Sequence, residues 1–323
     1  MTTPSTPTAA HGAEITAEEV ARDIDLSGQT VLITGASAGI GVETARVLAS
    51  RGARIIGAVR DLEKGRRAAE EIRERVPGAE IETVELDLSD LESVRRGADE
   101  IGGRFPRIDR LILNAGVMAC PLGRTKEGLD TQLGTNHLGH FVLTARLMEN
   151  VLAAAPARVV TLSSGGHRLS PLRFEDPFFE KEPYDKFVAY GQAKTANVLF
   201  SVALDARFRD RGVRAFAVHP GAIHTELGRH MTGDDFKAFL KDRPQAEPMK
   251  FKSLEQGAAT TVWAATAPEL DGVGGVYCED CGIASPIESP DSSVGVMAWA
   301  LDRDAAERLW TLSEQWSGER FAS

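Results

Sequence analysis

The sequence predicts an α/β protein built on a parallel sheet with helices on both faces, and two observations carry this prediction. Short apolar runs, such as residues 30–34, alternate along the chain with longer amphipathic stretches. Neither an internal repeat nor a linker interrupts the alternation. Apolar strands that alternate with helices are typical of a sheet buried on both faces, so a single doubly wound domain is expected.

Seven strands are expected, most of them separated by helices. They cover residues 30–34, 54–59, 81–86, 110–113, 158–162, 214–218 and 276–278. The helices between them are predicted at 39–50, 62–76, 89–102, 128–154, 188–209 and 254–267, and the third begins at a capping box from Ser89 to Glu92. Another capping box, Thr16 with Glu19, starts a short helix to about Ile24. A helical extension at 303–316 places Leu309, Leu312 and Trp316 at helical spacing, which predicts core packing.

Composition argues against several functional classes. The chain has 37 basic and 47 acidic residues, and its net charge of −10 predicts binding to neither nucleic acid nor anionic membranes. Residues 1–13 are expected to form a disordered tail before a single domain at 14–323, and no stretch is apolar enough to span a membrane. Cys120, Cys278 and Cys281 fit a reducing cytoplasm. The lone C-x-x-C lacks the second pair of a four-cysteine zinc site, so no metal is expected.

A glycine-rich turn follows the first predicted strand. Gly35, Gly39 and Gly41 form the pattern T-G-x-x-x-G-x-G, and a predicted helix comes directly after it. Glycines let the backbone approach a pyrophosphate, and the N-terminus of a helix supplies N–H donors to it. This position in an alternating chain predicts a dinucleotide site.

A tyrosine and a lysine four residues apart predict proton chemistry. Tyr190 and Lys194 share one face of a predicted helix. A free tyrosine has a pKa near ~10, and a nearby cation favours its phenolate. Tyr190 is therefore expected to exchange a proton with a substrate oxygen. Ser164, at the end of the fifth strand, can donate a hydrogen bond to the same oxygen.

These motifs, with Asn114, Ala115 and Gly116 after the fourth strand, resemble the short-chain dehydrogenase/reductase family over roughly residues 26–282. The run NHLGHF at 136–141 and the long segment before Tyr190 are most similar to its retinol-dehydrogenase-type members. The resemblance implies one Rossmann domain with seven parallel strands in the order 3-2-1-4-5-6-7. It also implies an enzyme that moves a hydride between a nicotinamide cofactor and an alcohol or carbonyl substrate.

The resemblance also implies a role for each motif residue. The catalytic residues would be Asn136, Ser164, Tyr190 and Lys194, with Asn136 shaping its helix and holding a proton-relay water. Lys194 would also bind the nicotinamide ribose. Asp87 would contact the adenine, unless it only serves the turn before Ser89. The cofactor contacts would be Gly35, Ser37, Gly39, Ile40, Gly41, Arg60, Asp87, Leu88, Asn114, Ala115, Gly116, Tyr190, Lys194, Gly221, Ile223 and Thr225.

The end of the second strand favours NADP(H) over NAD(H). An acid there would accept hydrogen bonds from the ribose 2′-hydroxyl of NAD, but Val59 occupies the position. Arg60 follows, and a guanidinium can form a charge-assisted, fork-like contact with a 2′-phosphate. The alternative is that Arg60 only pairs with Asp61 at the surface.

The segment between Ser164 and Tyr190 is about twice as long as is common in the family. Residues 165–189 include Phe174, Phe178 and Phe179 with several prolines, so they cannot form one helix. They are expected to form a loop over the active site, and residues 226–251 a second lid. Both suggest an apolar substrate of some bulk. The alternative is that the phenylalanines only pack the insertion.

Two alternative functions occur on related folds. A cofactor-binding regulatory protein on the same fold would be expected to have lost part of the catalytic set, but all four residues are present. An epimerase or dehydratase of the extended branch usually carries G-x-x-G-x-x-G, unlike this chain. Substrate, reaction direction and oligomeric state stay open, although the resemblance implies a homodimer or homotetramer formed through the helices that hold Asn136 and Tyr190.

Overall fold

A mostly parallel sheet runs through the centre of the protein, in a computed structural model that describes residues 11–233, 235 and 250–321. Its order is β8-β7-β6-β5-β4-β1-β2-β3, which for the first seven strands is the expected order. The strands are β1 Thr30–Thr34, β2 Arg54–Val59, β3 Ile81–Glu85, β4 Arg110–Leu113, β5 Ala157–Leu162, β6 Val213–His219, β7 Val276–Glu279 and β8 Gly282–Ile283.

The eighth strand corrects the prediction of seven. It pairs antiparallel with β7, Gly282 opposite Glu279, through a two-residue turn of Asp280 and Cys281 with φ of +50° and +55°. Two residues are too few to show an alternating pattern. Cys278 and Cys281 are buried at this edge, and burial raises the pKa of both thiols.

Helices cover both faces of the sheet, as a doubly wound fold requires. They are α1 Ala17–Val20, α2 Gly39–Ser50, α3 Leu62–Arg75, α4 Leu91–Arg104, α5 Gly139–Leu152, α6 Lys186–Phe208, α7 Leu254–Thr266 and α8 Arg303–Ser317. On one face α4, α5 and α6 bury Phe141 and Phe200. On the other, α2, α3 and α7 bury Leu48 and Trp263. Within the described residues, none of these helices has the length and apolarity needed to cross a bilayer.

Two helix starts were predicted from capping boxes, and one was wrong. The Thr16 box is present, with the Glu19 N–H 3.3 Å from the Thr16 hydroxyl, although the helix ends at Val20. Helix α4 is capped by Asp90, whose carboxylate accepts the N–H groups of residues 92 and 93 at 3.0 and 3.2 Å. Ser89 instead donates its hydroxyl to Asp87 at 2.7 Å. Asp90, one residue later, therefore accepts the hydrogen bonds that were expected for Ser89.

The helix predicted at 128–154 begins later and changes pitch. Asp130 caps a first turn, Thr131–Leu133, and accepts the N–H groups of residues 132 and 133. Residues Gly134–Leu138 then form a π-turn that leads into α5. The widened turn contains Asn136, and such turns are frequent at functional sites. An apolar pattern at helical spacing does not reveal it.

The C-terminal helix α8 lies across α5 and α6. The ring of Trp310 is 5.3 Å from Phe141 and 5.9 Å from Phe200 between centroids. Ser313 Oγ lies 2.8 Å from His137 Nε2, one residue after Asn136. The prediction that α8 packs on the core is confirmed for Leu309, which is buried in the core, and for Trp316, which packs against it, whereas Leu312 is only half-buried. Helix α8 also covers part of both helices that were expected to meet a second copy.

Candidate active site

The glycine turn between β1 and α2 is shaped to hold a phosphate group. Gly35 and Gly39 have φ of +73° and +59°, a region that favours glycine. A Cβ at Gly41 would lie 2.6 Å from the amide nitrogen of Asn114. Ala38, the N-cap of α2, makes no side-chain capping hydrogen bond, so the first N–H groups of α2 remain for an anion. These features fit the pyrophosphate of a dinucleotide.

Asn114 and Ala115 are tied to the first residue of this turn. The Thr34 hydroxyl oxygen accepts the N–H groups of Asn114 and Ala115 at 2.9 and 3.0 Å. The Asn114 side chain donates to the Thr34 carbonyl at 2.8 Å. A Cβ at Gly35 would lie 3.0 Å from Ala115, so the carboxyl ends of β1 and β4 meet closely here.

A buried histidine extends this network to Asn136. Because two amides donate to the Thr34 hydroxyl, its own hydrogen is free for His140 Nε2, 2.9 Å away. His140 Nδ1 then donates to the Asn136 carbonyl at 3.0 Å. Burial lowers the pKa of His140 to about 4 and keeps the ring neutral. No role was predicted for this residue, whose only signal was its place in the NHLGHF run.

The Asn136 side chain binds the backbone that follows Gly116. Its Oδ1 accepts the Val117 N–H at 2.8 Å, and its Nδ2 donates to the Val117 carbonyl at 2.9 Å. A Cβ at Gly116 would lie 2.9 Å from Asn136 Oδ1 and 3.6 Å from Lys194 Nζ. Asn136, Gly116 and Lys194 are therefore neighbours.

Ser164, Tyr190 and Lys194 meet at the carboxyl end of β5. A Cβ at Gly166 would lie 2.6 Å from the Tyr190 ring and 3.3 Å from Ser164 Oγ, so the two side chains meet at this glycine. Ser164 Oγ also accepts the Gly166 N–H at 3.0 Å. Lys194 Nζ lies 5.8 Å from the centre of the Tyr190 ring and donates to the Leu162 carbonyl at 3.0 Å. Both α6 side chains are buried, with 4% and 3% exposed.

Burial controls the protonation of this pair. It raises the pKa of Tyr190 to about 12, against the opposing effect of the Ser164 hydrogen bond. It lowers the pKa of Lys194 to about 8. The expectation that a nearby cation favours the phenolate is therefore outweighed by desolvation, and Tyr190 holds its proton at neutral pH.

The segment after β6 lies over the glycine turn. Gly221 has φ of +93° and its N–H lies 3.4 Å from His219 Nδ1, which also accepts the Gly165 N–H at 3.1 Å. The Thr225 methyl would lie 3.5 Å from a Cβ at Gly39. Ile223 packs against Gly257 on α7. The half-buried His219 thus connects the segment that holds the predicted cofactor contacts Gly221, Ile223 and Thr225 to the turn that follows Ser164.

At the end of β2, the Arg60 side chain is exposed and has no ion pair or hydrogen bond with any described residue. Asp61 instead caps α3, accepting the Lys64 N–H at 3.0 Å, so the alternative Arg60–Asp61 pair is absent from the described part of the chain. Asp87 Oδ1 accepts the N–H and hydroxyl of Ser89, as the turn alternative requires. Leu88 is buried, and its carbonyl would lie 2.6 Å from a Cβ at Gly139.

The phenylalanines of the insertion pack against the protein. Phe178 lies 5.1 Å from Trp316 on α8 and Phe179 lies 5.0 Å from Tyr184, both edge-on. The Arg308 guanidinium stands 4.3 Å above the Phe174 ring. The packing alternative is therefore supported. Of the second expected lid, residues 234 and 236–249 lie outside the described residues.

Three comparisons with known proteins agree on the family. The family profile described as short chain dehydrogenase matches residues 29–235. A probable oxidoreductase of Streptomyces lividans is 41% identical over 89% of this chain and 97% of its own length. Retinol dehydrogenase 12 of Mus musculus is 40% identical over 90% and 87%. A solved, uncharacterised protein of Mycobacterium paratuberculosis superposes with a TM-score of 0.71 at 36% identity, covering 94% of this chain and 98% of its own.

The family match covers more than half of the chain, and both curated relatives exceed 30% identity over most of it. The fold agrees, with its parallel sheet in the doubly wound order. This protein therefore belongs to the short-chain dehydrogenase/reductase family, in its retinol-dehydrogenase-like part, and is an oxidoreductase.

Proposed function

We propose that this enzyme interconverts an alcohol and a carbonyl with NADP(H), using Asn136, Ser164, Tyr190 and Lys194. The observation that carries the proposal is that Tyr190 and Ser164 meet at Gly166, where a Cβ would lie 2.6 Å from the tyrosine ring and 3.3 Å from Ser164 Oγ, with the Lys194 side chain buried nearby. This group lies at the same sheet edge as the glycine turn, which would hold the pyrophosphate. A bound nicotinamide would supply or accept the hydride.

The protein's own residues would handle the proton. During reduction, Ser164 would hydrogen bond to the substrate oxygen while Tyr190 gives it the phenolic proton. Tyr190 is suited to this because its raised pKa keeps that proton in place until negative charge develops. The phenolate left behind would be stabilised by the Lys194 ammonium, and oxidation would use the same atoms in reverse.

Arg60 supports the choice of NADP(H). Its guanidinium is exposed and has no partner among the described residues, and Asp61 is engaged as the cap of α3. Val59 places no acid where NAD would need a ribose acceptor. The 2′-phosphate is therefore the better match for this end of the cleft.

An apolar, moderately bulky substrate remains part of the proposal. This part is supported by the relatives named retinol dehydrogenase 12. The phenylalanines of the insertion do not support it, because they are engaged in packing. We place the enzyme in the cytoplasm, because all three cysteines are free and buried. The alternative, a regulatory protein that binds the cofactor without turnover, is disfavoured because all four catalytic positions are filled and three of them meet.

A screen tests the proposal. Aldehydes, ketones and alcohols of graded size are mixed with NADPH or its oxidised form, and cofactor absorbance is followed. Turnover of a bulky apolar member by the wild type, lost in Ser164→Ala, is the expected result. Tight cofactor binding without turnover of any member would favour the regulatory alternative.

A further inference from the structure

A buried histidine connects the serine turn to the C-terminal extension. His167 is 0% exposed and lies in the 3₁₀ turn Gly165–Leu169. We call this turn the serine turn, because it directly follows Ser164. Its Nδ1 lies 2.7 Å from the Ser164 carbonyl oxygen. Its Nε2 lies 3.1 Å from the backbone nitrogen of Met297. The imidazole ring of His167 thus contacts a backbone segment that lies 130 positions further along the chain.

The partners determine the state of the ring. A carbonyl oxygen can only accept, so Nδ1 carries the hydrogen; a backbone N–H can only donate, so Nε2 presents its lone pair. Only the neutral imidazole completes both bonds. Burial favours that form and lowers the pKa of His167 to about 4.

The next residue holds the same C-terminal segment. The buried Arg168 guanidinium donates to the Gly295 carbonyl at 2.8 and 3.2 Å and to the Ser293 carbonyl at 3.2 Å. Glu279, on β7, is 3.4 Å from Arg168 and accepts the Gly295 N–H. We call residues 293–297 the C-terminal strap. Two consecutive side chains of the serine turn therefore bind the strap backbone.

The other side of the serine turn contacts α6, the helix that carries Tyr190 and Lys194. A Cβ at Gly166 would lie 2.6 Å from the Tyr190 ring. The Thr195 hydroxyl, one residue after Lys194, lies 3.1 Å from the His167 carbonyl and 2.8 Å from that of Ser170. The turn is thus held between α6 and the strap, and its position sets where Ser164 stands relative to Tyr190.

We infer that His167 is a positioning residue, through which the C-terminal strap holds Ser164 at hydrogen-bond distance from Tyr190 and the substrate oxygen. The inference rests on the proposed function, because it takes Ser164 to be catalytic. It gives the extension beyond the seventh strand a part in catalysis. The Ser164 carbonyl also accepts the His167 backbone N–H at 3.0 Å. The imidazole adds a second hydrogen bond to this carbonyl and is the group that connects it to the strap.

Substitution of His167 provides the first test. A glutamine can offer one N–H and one carbonyl oxygen, so His167→Gln should retain much of the wild-type kcat, whereas His167→Leu offers neither. A misplacement of about 1 Å can cost about a hundredfold in rate, so kcat of His167→Leu should fall by about ten- to a hundredfold. The affinity for NADPH should stay within about twofold, because the glycine turn is untouched.

A matched pair at Met297 tests the contact between the strap and the imidazole. Met297 has φ of −62°, which proline adopts. Met297→Pro removes the donor to His167 and puts a ring carbon where the N–H hydrogen pointed, so it displaces the imidazole as well. Met297→Ala keeps the donor and reports the loss of the buried side chain. We expect kcat of Met297→Pro to lie below that of Met297→Ala by about tenfold or more, because the hydrogen bond is lost and the imidazole is displaced.

An isotope effect distinguishes positioning from folding. With NADPH deuterated at the transferred position, His167→Leu and Met297→Pro should show a larger effect on kcat than the wild type, since the chemical step becomes slower. A loss of folded enzyme would lower activity without changing this ratio. The inference is overturned if His167→Leu keeps the wild-type kcat and isotope effect, or if His167→Gln is no better than His167→Leu. Full activity of Ser164→Ala would instead overturn the proposed role of Ser164.

Discussion

The Tyr190 ring and Ser164 Oγ meet at Gly166 inside the protein, 2.6 and 3.3 Å from the position of a Cβ there. Burial raises the pKa of Tyr190 to about 12. Tyr190 therefore keeps its proton at neutral pH. In the proposed reaction, neighbouring groups would have to stabilise the phenolate that forms. Removal of the phenolic oxygen is therefore the most direct test of the proposed role of Tyr190.

Tyr190→Phe should lower kcat by about 10²- to 10⁴-fold, which is the usual contribution of a general acid or base. The ring would still pack against Gly166, so the dissociation constant for NADPH should change by less than about twofold. Steady-state kinetics and calorimetric titration measure the two quantities. Lys194→Ala, in contrast, should weaken both turnover and cofactor binding. A near wild-type kcat for Tyr190→Phe on a verified substrate would contradict the mechanism.

Stability should fall steeply as the pH drops from about 6.5 towards 4. Burial lowers the pKa of His137 and His219 to about 3 and of His140 and His167 to about 4. Unfolded histidines, with a pKa near ~6.5, bind protons that these folded ones exclude, so acid favours unfolding. At pH 5 each such residue costs about 2 kcal/mol of the free energy of unfolding.

One buried acid opposes this trend. Burial raises the pKa of Asp130 to about 6, so it gains a proton in the folded state as the pH falls and restores about 1 kcal/mol near pH 5. Urea unfolding at pH 7.5, 6 and 5 measures the net slope. His137→Gln should make the slope shallower, whereas His230→Gln, at an exposed position, should not. An equally stable protein at pH 7.5 and pH 5 would contradict the prediction.

The protein should be a monomer in solution. The resemblance implied a homodimer or homotetramer through α5 and α6, but α8 covers Phe141 and Phe200 on these helices with Trp310 and Phe321. Ser313 also reaches His137 at the start of α5. Light scattering should give a mass near 34.8 kDa at all concentrations. A stable mass of twice that value would show that another surface associates.

Local patterns were enough to predict seven of the eight strands of the central sheet and the residues that meet at their carboxyl ends. The glycine turn, Asn114 and the Tyr190–Lys194 spacing are each local in sequence, and a parallel sheet brings their ends to one edge. The buried histidines were missed because their partners are distant. His140 is hydrogen bonded to Thr34 and His167 to Met297, and neither contact produces a periodic pattern in the sequence. The Ser89 cap failed because Asp90 competes for the same amides.

The cofactor preference gives the last prediction, and it depends on Arg60. The 2′-phosphate is the chemical difference between NADPH and NADH, and Arg60 has no competing partner among residues 11–233, 235 and 250–321. A hydrogen bond to a charged group contributes about 1.5–3 kcal/mol, or about ten- to a hundredfold in affinity. Arg60→Ala should weaken NADPH binding by that factor and leave NADH almost unchanged.

Val59→Asp should shift the preference further, because a carboxylate there would accept the ribose hydroxyls of NADH and repel the phosphate of NADPH. Arg66→Ala is the matched control, since Arg66 lies on α3 and is engaged with Glu63. Calorimetric titration of each variant with both cofactors measures the four affinities directly. If the wild type binds NADH as tightly as NADPH, Arg60 is a surface residue without a role in selection. The NADP(H) assignment would then fail, while the dehydrogenase family and the catalytic proposal would stand.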